Sequence, residues 1–138
     1  MTTSRLEIRV EWGDCDPARI VFYPNYFSWF DRGTRNLFET VGLPWKTLFD
    51  DYGLIGCPIV DAHARFKAPS RFGDVVSVES HIARWSRRSF EVAHRITNGE
   101  RLAVEGHEVR AWVITDTERE TGLRAIDIPE DFVRRFQG

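Results

Sequence analysis

Residues 24–41, PNYFSWFDRGTRNLFETV, have a helix's length and period: Tyr26, Phe30, Leu37 and Val41 fall on one stripe, with Phe27, Trp29 and Phe38 beside it. Pro24 suits a first helical position, where a missing N–H costs nothing, and Gly42 followed by Pro44 makes a stop. An apolar surface this wide requires a helix largely wrapped by other structure. The wrapping must come from the rest of the chain, most of which reads as strand.

Upstream, RLEIRVEW (residues 5–12) alternates Leu6, Ile8, Val10 and Trp12 with Arg5, Glu7, Arg9 and Glu11, the pattern of a half-buried strand. Downstream, after a short helix predicted over residues 45–52, residues 59–68 put Val60, Ala62, Ala64, Phe66 and Ala68 on one face. Those small residues are expected to face inward and let a helix lie close. Residues 74–85, 89–97 and 102–115 read as further strands, the last two joined at an Asn98-Gly99 turn. Residues 123–128 could add a short strand and residues 129–136 a terminal helix. One strand, one long helix and four or five antiparallel strands describe an α+β domain over residues 1–138, its sheet curled around a central helix.

Such a sheet leaves edges exposed and only one face covered. Five tryptophans and ten phenylalanines also exceed what one helix–sheet core absorbs. A homo-oligomer, a dimer of dimers, is the expectation.

The 138 residues carry 42% hydrophobic side chains and a net charge of −2, which suits one packed domain and gives no reason to expect nucleic-acid binding. No apolar run reaches membrane-spanning length, and MTTSRLEIRVEW lacks the charged and apolar regions of a signal peptide. Cys15 and Cys57 make no disulfide framework, and the four histidines show no metal-ligand spacing. These features predict a cytoplasmic protein without metal or cofactor. Of the 19 basic residues only Lys46 and Lys67 are lysines, and arginine grips phosphate bidentately where it clusters.

The stretch GDCDPARIVFYPNY (13–26) sets a carboxylate pair in a loop just before the long helix. If Pro24 is the first helical residue, the Tyr23 backbone N–H has no intrahelical acceptor. It then lies at the positive helix end, where it can hold a carbonyl oxygen becoming an oxyanion. A nearby carboxylate can attack that carbonyl or activate water. The residues alone allow a second reading, in which Asp14 and Asp16 only close the loop through Asx turns.

GDCDPARIVFYPNYFSWFD resembles the signature segment of the 4-hydroxybenzoyl-CoA thioesterases of the hotdog superfamily, whose pattern is close to GDCDPAGIV(F/W)YPNY. Further similarity runs through GLPW (42–45), GCPIV (56–60), RRSF (87–90) and LRAIDIP (123–129). The resemblance implies a hotdog fold and hydrolysis of a coenzyme A thioester. Asp16 would be the catalytic carboxylate, as nucleophile or general base, and the Tyr23 N–H would polarise the thioester carbonyl. Asp31 would accept a hydrogen bond from a substrate phenol with Trp45 nearby, and Cys57 and Pro58 would line the site. Without that role, Asp31 would pair with Arg32 or Arg35 on the helix surface. Arg87, Arg88 and Ser89 would hold the nucleotide phosphates, with Arg124 a further candidate.

Asp14 reads as a turn-former, Asn25 as a brace for the loop, and Cys15, between two aspartates, as a packing residue. Arg19 departs from the family's glycine and puts the loop geometry in question. Three functions fit the sequence: an aryl-CoA thioesterase with 4-hydroxybenzoyl-CoA as substrate, a general short- or medium-chain acyl-CoA thioesterase, and a non-catalytic acyl-CoA-binding protein.

Overall fold

The central helix forms where its stripe predicts. In the computed structural model, which describes residues 1–138, β1 (Thr3–Arg9) leads through a loop into α1 (Pro24–Thr40). There follow α2 (Trp45–Asp51), β2 (Ile59–Phe66), β3 (Val75–Trp85), β4 (Ser89–Asn98) and β5 (Arg101–Ala111). The chain ends with β6 (Val113–Thr115), β7 (Leu123–Ala125) and α3 (Glu130–Arg135). The main sheet is antiparallel in the order β1-β3-β4-β5-β2, with β6 and β7 a separate two-stranded ribbon. This is the α+β hotdog architecture.

α1 buries Tyr26, Trp29, Phe30, Leu37 and Phe38. The first three pack with Val76, Val78, Ile96 and Val104 of the sheet; Leu37 and Phe38 join Phe90, Trp112 and Phe132 in a second cluster that α2 and α3 close. Each fully buried side chain of this kind contributes about 1.5–3 kcal/mol. The close approach of helix to sheet comes at Gly33, where a Cβ would stand 2.6 Å from Ser80 Oγ and 2.9 Å from Val78 Cγ1. Gly42, at φ +78°, ends the helix as expected, and Leu43 N–H donates back to the Phe38 carbonyl at 2.9 Å.

Four expectations are corrected. The first strand stops at Arg9: the Asp14 carboxylate takes the Glu11 N–H and closes a tight turn, which leaves Trp12 66% exposed. The segment 102–115 is two strands, because Trp112 turns its N–H to the Arg88 carbonyl and its ring onto Phe132, so the chain leaves the sheet there. The inward face of β2 is less buried than expected. Ala62, Ala64 and Phe66 do face inward, opposite Glu108, Gly106 and Val104, and the Phe66 ring lies against Tyr26 of α1. But β2 is an edge strand, which leaves Ala62 and Phe66 exposed, and a bulge between Ile59 and Asp61 takes Val60 out of the pattern. The β4–β5 turn is also displaced by one residue, to Gly99-Glu100 between the paired Asn98 and Arg101.

Candidate active site

The loop between β1 and α1 is a miniature hairpin. Cys15 pairs with Val21, Asp16 N–H donates to the Ile20 carbonyl at 2.9 Å, and Phe22 N–H donates to the Asp14 carbonyl at 2.8 Å. Asn25 Nδ2 also donates to the Asp14 carbonyl, so the start of α1 is tied to the loop. Asp14 is thus a turn-former and Asn25 a brace, as expected.

Asp16 makes an Asx turn: Oδ1 accepts the Ala18 N–H at 2.8 Å, while Oδ2 has no hydrogen-bond partner in the chain. The turn fixes the carboxylate and leaves one oxygen free, so the two sequence readings of Asp16 are compatible. Arg19 N–H donates to the Asp16 carbonyl at 2.8 Å, and Arg19 takes φ +66°, the left-handed conformation for which glycine is best suited. The substitution keeps the backbone and leaves the arginine side chain exposed.

At the start of α1, Pro24 has no N–H, and the Asn25 and Tyr26 N–H groups turn to the Phe22 and Tyr23 carbonyls. The Tyr23 N–H makes no hydrogen bond within the chain. It is an unspent donor at the positive end of a 17-residue helix. Asp16 and Arg19, with Trp12, Cys15, Pro17 and Phe72, line a cleft of ≈ 360 Å³. Ile20, Tyr23, Tyr26 and Phe66 line a second, apolar cleft of ≈ 320 Å³. Arg19 and Ile20, adjacent in the chain, each line one of the two clefts.

Asp31, Trp45, Cys57 and Pro58 are gathered by a side chain that the sequence reading missed. Arg110 Nη2 donates to Asp31 Oδ1 at 2.7 Å and to Glu108 Oε2 at 3.0 Å, and Nη1 donates to the Cys57 carbonyl at 3.0 Å. The guanidinium also lies 5.3 Å from the centre of the Trp45 ring. Asp31, Trp45 and the Cys57–Pro58 backbone therefore meet at one cation. The partner of Asp31 is Arg110 from across the sheet, not Arg32 or Arg35 on its own helix: the inward-facing guanidinium reaches it first.

Behind Arg110 the buried polar groups continue. Glu108 accepts hydrogen bonds from Thr34 and, at 3.0 Å, from His94 Nε2; His94 Nδ1 lies 2.7 Å from Ser80 Oγ. The imidazole stacks on Phe30 with ring centres 4.6 Å apart. Burial pushes the His94 pKa down despite its carboxylate neighbour, so the ring is neutral at pH 7. Burial pushes the Glu108 carboxyl up, but the His94 hydrogen bond, the Arg110 charge and the Thr34 hydroxyl together hold it below its ordinary range. Cys57 is driven up to about 12 by burial, which leaves it a thiol and removes it as a nucleophile.

Arg87 and Arg88 lie together and share one carboxylate: their Nε atoms donate to Asp127 at 3.1 and 3.0 Å. The two arginine hydrogen bonds hold the Asp127 carboxyl below its ordinary range. Ser89 begins β4 beside them, its carbonyl accepting the Ser86 N–H. Arg124 does not join this cluster; it pairs with Asp116 at 3.2 Å on the β6–β7 ribbon. No helix of the chain is long and apolar enough to cross a membrane.

The chain has counterparts among known proteins. Residues 10–136 match the model of the thioesterase-like superfamily. Over 134 residues the chain is 38% identical to the 4-hydroxybenzoyl-CoA thioesterase of Pseudomonas sp. (strain CBS-3), covering 93% of each chain. The chain belongs to the hotdog-fold 4-hydroxybenzoyl-CoA thioesterase family. It is an acyl-CoA thioesterase, a thioester hydrolase. The structure of the Pseudomonas enzyme superimposes with a TM-score of 0.87 over 96% of this chain and 98% of that one. A gentisyl-coenzyme A thioesterase, 33% identical, gives 0.82 over 98% of this chain and all of the other, 100%. A 1,4-dihydroxy-2-naphthoyl-CoA hydrolase of Prochlorococcus marinus is 25% identical over 86% of this chain and 81% of its own.

Proposed function

We propose that the chain hydrolyses an aromatic coenzyme A thioester, 4-hydroxybenzoyl-CoA first among them, to the free acid and coenzyme A. One observation carries the reading: a carboxylate oxygen of Asp16 and the Tyr23 N–H are both free at the start of the long helix, held by a hairpin that ties them together. The names of the three relatives above, each of which carries a hydroxylated aromatic acyl group, support the acyl class.

The chemistry follows from those two groups. The thioester carbonyl oxygen accepts the Tyr23 N–H and gains negative charge as the carbon is attacked. Asp16 either attacks the carbon itself, forming an acyl–carboxylate anhydride that water then opens, or takes a proton from the attacking water. In both routes the tetrahedral intermediate collapses by expelling the coenzyme A thiolate, a leaving group that needs no strong acid. Asp31 and Trp45 receive the ring of the acyl group, with the Cys57–Pro58 segment beside them. Arg87, Arg88 and Ser89 hold the nucleotide phosphates, and Arg124 is the more peripheral contact. The working enzyme is a homo-oligomer, a dimer of dimers; the edge strand β2, with Ile59, Val60 and Phe66 exposed, supports pairing of subunits.

A second reading has its own observation. Asp31 already has a partner in Arg110, so it does not require a phenol, and a general acyl-CoA thioesterase fits that pairing. Hydrolysis rates across 4-hydroxybenzoyl-, benzoyl-, phenylacetyl- and straight-chain CoA esters separate the two. The aryl reading requires 4-hydroxybenzoyl-CoA to lead in kcat/KM, and equal rates on straight-chain esters would replace it with the general one.

A further inference from the structure

Resting on the proposed aromatic thioesterase activity and its placement of the acyl ring at Asp31 and Trp45, we infer that Arg110 is the positioning residue of the acyl pocket: its ion-pair chain holds Asp31 and Trp45 in the pose that receives the ring. Strand alternation sets this up. From Val104 onward, Gly106, Glu108 and Arg110 occupy every second position of β5, so all three face α1. The guanidinium then joins groups from three other segments: Asp31 on α1, Trp45 on α2 and the Cys57 carbonyl before β2. A planar fork that bonds in three directions while stacking on an indole is beyond what a lysine ammonium can reproduce.

The charges are unevenly buried. The Arg110 side chain is 6% exposed and that of Glu108 1%, whereas Asp31 is 45% exposed. Glu108 is saturated by Thr34, His94 and Arg110. Arg110 holds only Oδ1 of Asp31, and Oδ2 has no partner within the chain. One guanidinium faces two carboxylates beside a neutral imidazole, so one negative charge is uncompensated, and Asp31 is the carboxylate that presents it. A ring hydroxyl or amino group donates to that oxygen; a ring carboxylate is repelled by it. Arg110 does not itself touch the substrate; it acts by holding Asp31 and Trp45 in place.

The test compares wild type, Arg110→Lys and the double variant Arg110→Met/Glu108→Gln, which removes both buried charges together and leaves only the half-exposed Asp31, now without its holder. Folding of each is checked by circular dichroism and thermal unfolding. Values of kcat and KM are measured on the 4-hydroxybenzoyl-, 4-aminobenzoyl-, benzoyl- and 4-carboxybenzoyl-CoA esters. Non-hydrolysable 4-hydroxylated and unsubstituted aryl thioethers of coenzyme A are titrated in parallel. Wild type is expected to favour the two donor-bearing esters over benzoyl-CoA by about tenfold and to disfavour the 4-carboxy ester. The double variant loses that preference, and Arg110→Lys retains part of it. Equal losses on all four esters, with ratios unchanged, would show a merely structural arginine and overturn the assignment. So would a wild type that binds the two thioethers alike. A wild type that hydrolyses none of the esters, yet binds the hydroxylated thioether more tightly in an Arg110-dependent way, would sink the proposed reaction and leave the pocket assignment standing. Should the double variant not fold, Arg110→Lys alone decides on the same ratios.

Discussion

His94 Nε2 lies 3.0 Å from Glu108 Oε1, and both side chains are sealed between α1 and the sheet. A neutral imidazole donating to a carboxylate is the state the site favours. Protonating His94 would place a charge against Phe30, and protonating Glu108 would strip an acceptor from Thr34, His94 and Arg110. Both groups have folded-state pKa values below their ordinary ones, so the unfolded chain binds more protons as pH falls. Stability is therefore expected to decline below about pH 6.5, the unfolded histidine value, and further below about 4.5 as Glu108 is protonated. Each proton steepens the slope by at most about 1.4 kcal/mol per pH unit. Urea unfolding between pH 8 and 4 gives the curve, and His94→Gln should flatten it between pH 6.5 and 4.5. A wild-type His94 imidazole seen by NMR to titrate near 6.5 would refute the argument.

Arg19 at φ +66° is the one non-glycine residue in the left-handed region. That conformation costs an L-residue roughly 1 kcal/mol, and glycine recovers it while losing some to unfolded-chain entropy. Arg19→Gly should raise stability by about 0.5 kcal/mol and leave hydrolysis intact, whereas Arg19→Ala should keep the strain. Denaturant midpoints of the three proteins decide it. A destabilised Arg19→Gly would mean that the exposed side chain binds something beyond its own chain.

Asp16→Asn keeps the shape of the Asx turn, since the amide oxygen still accepts the Ala18 N–H, but loses basicity and nucleophilicity. Turnover should fall at least about 10²-fold, the lower end for a positioned general base, with substrate affinity and melting temperature nearly unchanged. Retention of more than about a tenth of the wild-type rate would remove Asp16 from the chemistry.

How the sequence carried this information differs from element to element. α1 was legible because its period, its Pro24 start and its Gly42 stop agreed, and each depends only on near neighbours. The hairpin around Asp16 was legible through a dense local motif. The burial of β2 was misread because alternation does not reveal whether a strand lies at a sheet edge, and a bulge takes Val60 out of the pattern. Arg110 was missed for a related reason: its partners are 79 and 53 residues away along the chain. A signal was nonetheless present. Alternation from Val104 assigns Glu108 and Arg110 to the inward face, and His94 falls on the inward face with Val92 and Ile96. Charged residues at inward positions must find partners, so their assignment to a buried network was available from strand parity alone.

Arg87 and Arg88 share Asp127 at the surface. Coenzyme A carries its phosphates far from the thioester, so groups that hold them serve ground and transition states alike. Arg87→Ala and Arg88→Ala should each raise KM by about tenfold or less and leave kcat nearly unchanged. Added salt should shrink the penalty, and a truncated pantetheine thioester, which lacks the nucleotide, should nearly abolish it. The shared carboxylate adds a test in the opposite direction. Asp127 competes with phosphate for the same guanidinium groups, so Asp127→Asn should release both arginines and lower KM severalfold for the full-length substrate only. A raised KM in Asp127→Asn would mean that the carboxylate holds the arginines in their binding pose instead of competing for them. Equal KM effects of the arginine variants on full-length and truncated substrates would take both residues out of the nucleotide site.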